Sequence, residues 1–119
     1  MTEKGKFLQK INEAFAKSDT AFIVDNVTND ITWNVMGDQS ISGKEDFEKA
    51  LQQMEQDEPM ELTIKNIITH GKSAAVDGVM TIPGGDKQYA FCDVYTFSGF
   101  KEPKIKEMTS YVVEVDLTV

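Results

Sequence analysis

Cysteine and histidine are nearly missing from this sequence. Cys92 is the sole cysteine, so no internal disulfide can form, and a reducing, cytoplasmic setting is expected. His70 is the sole histidine, so no Cys/His spacing can hold a structural zinc ion, and neither a metal nor another cofactor is expected. Positive charge is scarce as well. Twelve Lys and Arg face 20 Asp and Glu, for a net charge of −8. An acidic surface repels phosphate backbones and anionic headgroups, so nucleic acid and membrane are not expected partners. The opening residues MTEKGKFLQK carry no long apolar run, so neither a signal peptide nor a membrane-spanning helix is expected there. Internal repeats and low-complexity tracts are missing too.

What is present suits one globular domain over residues 1–119. The composition is 40% hydrophobic and 27% charged. A chain of this size buries roughly 65% of its unfolded surface, enough for a core without staples. Residues 3–17 place Phe7, Leu8, Ile11, Ala14 and Phe15 on one helical stripe. Asp19 is suited to cap a second, short helix with Ala21, Phe22 and Val24, extending as far as Val27, which TND ends. ITWNVMGDQ reads as a strand, with Ile31, Trp33 and Val35 on one face and Thr32, Asn34 and Met36 on the other. GDQSISG reads as a loop or irregular edge. Ser42 and Glu45 form a capping box opening a third helix, which buries Phe47, Ala50, Leu51 and Met54 and stops before Pro59.

Beyond Pro59 the hydrophobic period changes from 3.6 to 2. ELTIKNIITH, SAAVDGVMTI, KQYAFCDVYTF and KIKEMTSYVVEVDLTV are four strands, joined by HGK, PGGD and SGFKEP. Connections this tight predict an antiparallel meander. The class is α+β, with three N-terminal helices packed on one face of a curved antiparallel sheet. Such a cone can leave a hollow between sheet and helices.

Three segments, ITWNVMGDQSISGKEDF, CDVYTF and KIKEMTSYVVEV, carry a resemblance. The chain resembles the nuclear-transport-factor-2-like superfamily, which includes SnoaL-like polyketide cyclases and ketosteroid isomerases. The resemblance implies a cystatin-like cone, a pocket inside it, and a homodimer formed through the open sheet face. CDVYTF is similar to the Asp-Val-x-x-Phe run of the isomerases, whose Asp stays protonated and donates to an enolate oxygen; that position is Asp93. Their general base falls on Asn34, which cannot take a proton at neutral pH. Their first-helix Tyr has no match in FLQKINEAF. Ketosteroid isomerisation is therefore not expected.

Asp93 is the candidate catalytic residue. It shares a strand face with Phe91 and Tyr95, and burial among aromatics would hold its carboxyl neutral as a hydrogen-bond donor. The other reading is a structural partner of a lysine or backbone amide, or a surface group. Asn34 would face the pocket with Thr32 and Met36, orienting a ligand or a water, unless it is a turn-adjacent polar residue. The resemblance adds Met108, Ser110 and Val112 to the lining. Ser110 has no neighbouring base and reads as a serine bonded to a backbone carbonyl. Tyr111 takes the opposite face by parity. Trp33 reads as core, with an edge that can reach the hollow. Asp77 is either a second pocket acid or, beside Gly78, turned outward by a bulge. His70 reads as an exposed turn residue, Cys92 as a small core hydrophobe. Three functions stay open: binding of a small, largely apolar molecule in a pocket closed by the first helix; an acid–base isomerase, cyclase or hydratase-like enzyme; and a dimeric interaction module with a filled cone.

Overall fold

The computed structural model describes residues 2–84, 87–99 and 104–116. The first helix, α1 (Glu3–Lys17), starts where Thr2 accepts a hydrogen bond from the Gly5 amide at 3.0 Å. It ends at Ser18, whose left-handed φ of 58° breaks the helical path. Leu8, Ile11 and Ala14 form its buried stripe, with Phe7 and Phe15 half-buried beside them. Asp19 caps α2 (Thr20–Asp25) by accepting from the Phe22 amide at 3.3 Å. The helix buries Ile23.

The strand β1 (Val27–Val35) begins four residues earlier than the pattern from Ile31 indicates. Its register against its neighbour shifts between Val27 and Thr32, and that irregularity obscures the alternation in the sequence. GDQSISG is not a loop throughout: Gln39–Ser42 form β2, a short strand hairpinned onto β1. Ser42 is thereby drawn into the ladder opposite Thr32, which overturns the expected capping box. Gly43, at φ 90°, is the N-cap of α3 (Lys44–Gln53), and no side chain bonds there. Glu45 and Asp46 still place negative charge in the first turn.

The meander is as the sequence suggests: β3 (Glu61–His70), β4 (Ser73–Thr81), β5 (Lys87–Phe97) and β6 (Ile105–Asp116) pair antiparallel in order. Part of the PGGD turn and of the SGFKEP connector lies outside the described residues. The six strands run in the order β2-β1-β6-β5-β4-β3, and β1 pairs with β6 in parallel. The expected all-antiparallel sheet is corrected at this one pairing, which joins distant segments and has no turn to announce it. Opposite Gly78, β3 carries a bulge between Ile64 and Asn66. The Thr63 carbonyl presses so close on Gly78 that no β-carbon fits.

All three helices cover one face of the sheet. Leu8 and Ile11 of α1 and Phe47 and Leu51 of α3 meet Ile31, Trp33, Val76, Phe91, Tyr95 and Met108 in one core. Trp33 lies at its centre, 5.9 Å from the Phe15 ring and 5.5 Å edge-on to Phe47. No helix among the described residues is long and apolar enough to cross a membrane.

Candidate functional site

The core does not fill the cone. A cavity of about 250 Å³ remains between the sheet and α1, extending to the β1–β2 turn. Strand alternation decides its wall. Trp33 and Val35 project into it from β1, Phe91 and Asp93 from β5, Ser110 and Val112 from β6. Asn12 and Phe15 close it from α1, and Asp38, Gln39, Met54 and Met80 complete the lining.

The enclosed polar groups of this wall, Asn12, Trp33, Asp93 and Ser110, form one network with Tyr95 in which each hydrogen bond has a determined direction. The Asn12 side chain donates from Nδ2 to the Leu8 carbonyl at 2.9 Å and to the Tyr95 hydroxyl at 3.2 Å. A carbonyl only accepts, so the amide orientation is fixed without choice. Tyr95 receives Asn12's proton and therefore donates its own, to Asp93 Oδ2 at 3.4 Å. The same logic holds on the other side. The Trp33 indole only donates, and it donates to Ser110 Oγ at 2.9 Å. Ser110, which pairs with Asp93 across β5 and β6, gives its hydroxyl proton to the carboxylate. Both arms converge on Asp93 as donors.

Asp93 is half-buried as a residue, but protein surrounds nearly all of its carboxyl group. Desolvation pushes the carboxyl from 3.8 up to about 6, against the Ser110 and Tyr95 hydrogen bonds, which favour the charged form. Burial also drives the Tyr95 hydroxyl well above its ordinary range, with the Asp93 charge adding to the effect. Tyr95 thus remains a neutral donor.

Of the expected site residues, Phe91, Asp93, Ser110 and Val112 come together on the cavity wall. Tyr95 and Met108 share that face but are fully buried beneath it, Tyr95 reaching the site through its hydroxyl. Thr32, Asn34 and Met36 are not at the cavity, which corrects their expected placement. They occupy the outer face of β1; Trp33 and Val35, on the opposite, helix-covered face, enclose the hollow. Asn34 Oδ1 instead accepts from Ser40 on the exposed β1–β2 hairpin at 2.9 Å. Ser110 bonds to Trp33 and not to a backbone carbonyl.

Sequence reasoning missed Asn12 and Asp38. A polar residue on the otherwise apolar stripe of α1 was the available signal for Asn12; Asp38 reaches the mouth through a hairpin that read as a loop. Cys92 is not core: it lies half-buried on the outer sheet face, where burial first, then Asp93 and Asp77, raises its thiol. Asp77 points outward beside the bulge, one carboxylate oxygen buried without a hydrogen-bond partner. His70 is exposed at the end of β3. The described residues contain no cluster of His, Cys, Asp and Glu that could hold a metal ion.

Residues 8–108 match the family model of a SnoaL-like domain. Among solved structures, an NTF2-like protein of unknown function from Cytophaga hutchinsonii ATCC 33406 is 25% identical, with a TM-score of 0.67 over 92% of this chain and 98% of its own. An NTF-2 like protein of unknown function from Burkholderia xenovorans LB400 is 17% identical, with a TM-score of 0.71 over 88% and 78%. An M. tuberculosis LEH-like epoxide hydrolase is 16% identical, with a TM-score of 0.73 over 92% and 81%, and shares the fold. A comparison with curated proteins finds no match.

Proposed function

The chain belongs to the SnoaL-like domain family, and from that premise we propose that its interior cavity binds a small, largely apolar molecule with Asp93 as the principal polar contact. The observation that carries this reading is the buried Asp93 carboxyl, held by two directed donors on the wall of a largely apolar hollow. A filled cone would need no such group, since an unpaired buried carboxylate costs stability. At ~30 Å³ per water, 250 Å³ holds about eight waters, which suits a ligand of roughly eight to ten heavy atoms. That is just under the ~300 Å³ where small-molecule sites commonly begin, and too little for four fused rings.

A panel of compounds of that size, titrated while the Trp33 indole resonance is followed by NMR, tests the reading. Binding is expected to shift that resonance. Val112→Trp, at the half-open mouth, is expected to abolish the shift and leave the melting transition in place. Silence of the indole across the panel, or full binding by Val112→Trp, refutes it.

A second reading, acid–base catalysis, draws on Asp38. Two carboxyls on one cavity, one enclosed and raised to about 6 and one in an exposed turn, are the arrangement that divides acid and base roles. Turnover of a bound carbonyl compound, lost in both Asp93→Asn and Asp38→Asn, is its test.

We also propose a homodimer through the outer sheet face. Ile68, Tyr111 and Val113 are 63%, 47% and 63% exposed there, around a depression that holds Asp77 and Cys92 and no lysine among its described residues. With a net charge of −8, two copies approach most cheaply where charge is sparse. Four strands at ~4.8 Å spacing and about 30 Å long give a flat area on the order of 600 Å². Allowing for side-chain relief, this is close to the ~800 Å² that each partner contributes to a stable interface.

A further inference from the structure

We propose that the cavity selects a small apolar amine, bound as its ammonium ion against Asp93 with its hydrocarbon body on Trp33 and Phe91. This rests on the reading of the cavity as a binding site. The argument is one of donor and acceptor supply. Every side-chain donor in the enclosed part of the wall is already spent; the Gln39 amide lies at the mouth, on the exposed β1–β2 hairpin. Asn12 Nδ2 is committed to Leu8 and Tyr95, Tyr95 to Asp93, and Trp33 to Ser110. Ser110 gives its proton to Asp93. What the enclosed wall offers a ligand is therefore acceptors, the Asp93 carboxylate and the amide oxygen of Asn12, with Asp38 and the Gln39 amide out at the mouth. A ligand that matches this wall must bring donors.

It must also bring positive charge. All twelve cationic side chains of the chain are lysines, and among the described residues none lines the cavity, whereas two carboxylates do. An ammonium supplies the missing countercharge in a poorly solvated place, where such pairing counts most. The faces of Trp33, Phe15 and Phe91 add attraction to a cation that a neutral molecule does not receive. A carbonyl ligand, by contrast, needs a donor, and the enclosed wall has one to give only when Asp93 is protonated.

The two ligand classes thus have opposite pH dependence. The groups that bear on Asp93 are few. Tyr95 stays neutral, Asn12, Trp33 and Ser110 do not titrate, Val35, Met54, Met80 and Val112 are apolar, and Asp38 is the other acid on the cavity. Cys92, on the far face of β5, has a raised thiol and stays neutral as well. With Asp93 at about 6, its ionised fraction rises about tenfold between pH 5 and pH 8.

The test uses the full chain, 2-phenylethylamine, and the ketone phenylacetone as an uncharged probe of similar size, with calorimetry at pH 5 and pH 8. The amine is expected to bind about tenfold more tightly at pH 8 than at pH 5, and more tightly than the ketone at pH 8. Asp93→Asn is expected to lose at least tenfold in amine affinity; the wild-type pH profile stands without that variant should it fail to fold. Ketone binding that strengthens toward pH 5 and exceeds amine binding overturns the amine assignment and leaves the binding site standing. Failure of both probes, with no shift of the Trp33 indole, overturns the binding site and the assignment together.

Discussion

Replacing Asp93 with asparagine isolates the energetic consequence of placing a carboxyl inside the cone. Its pKa moves from 3.8 to about 6 on folding, which corresponds to about 3 kcal/mol at ~1.4 kcal/mol per pH unit. The sign follows from linkage. Between those values the native state holds a proton that the unfolded chain has released, so stability falls as pH rises through about 6. Its stabilising contribution is complete below about 3.8 and gone above about 6. Asparagine cannot ionise and escapes that loss. It also has only one acceptor oxygen for two O–H donors, so its NH₂ faces either Tyr95 or Ser110 donor to donor, at about 1–2 kcal/mol. Asp93→Asn is therefore expected to be about 1–2 kcal/mol less stable than wild type near pH 4 and about 1–2 kcal/mol more stable at pH 8. Urea unfolding of both proteins from pH 4 to pH 8 reads this directly, provided the m-values agree. A difference that stays flat with pH, or a variant that fails to fold at pH 8, would refute the reasoning and make Asp93 a structural partner.

Other perturbations test neighbouring parts of the structure. Tyr95→Phe removes one of the two donors that favour the Asp93 carboxylate and should raise the Asp93 pKa further above about 6, read by carbon-detected NMR; an unchanged or lower value would break the directed network. The same variant strands one Asn12 hydrogen and should lose about 1–2 kcal/mol of stability in denaturant. Gly78→Ala drives a β-carbon into the Thr63 carbonyl and should cost about 3 kcal/mol or more, so a melting point within a degree or two of wild type would show that the bulge yields. Val113→Lys puts a charge on the outer face, and light scattering should report a shift from a two-chain mass to the 13.3 kDa of one chain; a wild type already at 13.3 kDa would end the dimer proposal.

The sequence alone determined the elements and the class. Apolar stripes at 3.6 spacing marked α1 and α3, alternation marked β3 to β6, and short turn segments forced the meander, because each of these signals is local and repeats within a few residues. It also singled out Asp93, since a charge within YAFCDVYTF conflicts with its surroundings whatever the register. Tertiary structure decided which side of β1 faces the hollow. Period-2 alternation divides Trp33 and Val35 from Asn34 and Met36 but does not say which set looks inward when both are mixed. The parallel pairing of β1 with β6, the hairpin that brings Asp38 to the mouth, and the convergence of Asn12, Trp33 and Ser110 on Asp93 join residues far apart in the chain. No local pattern encodes such contacts; packing the helices onto the curved sheet creates them.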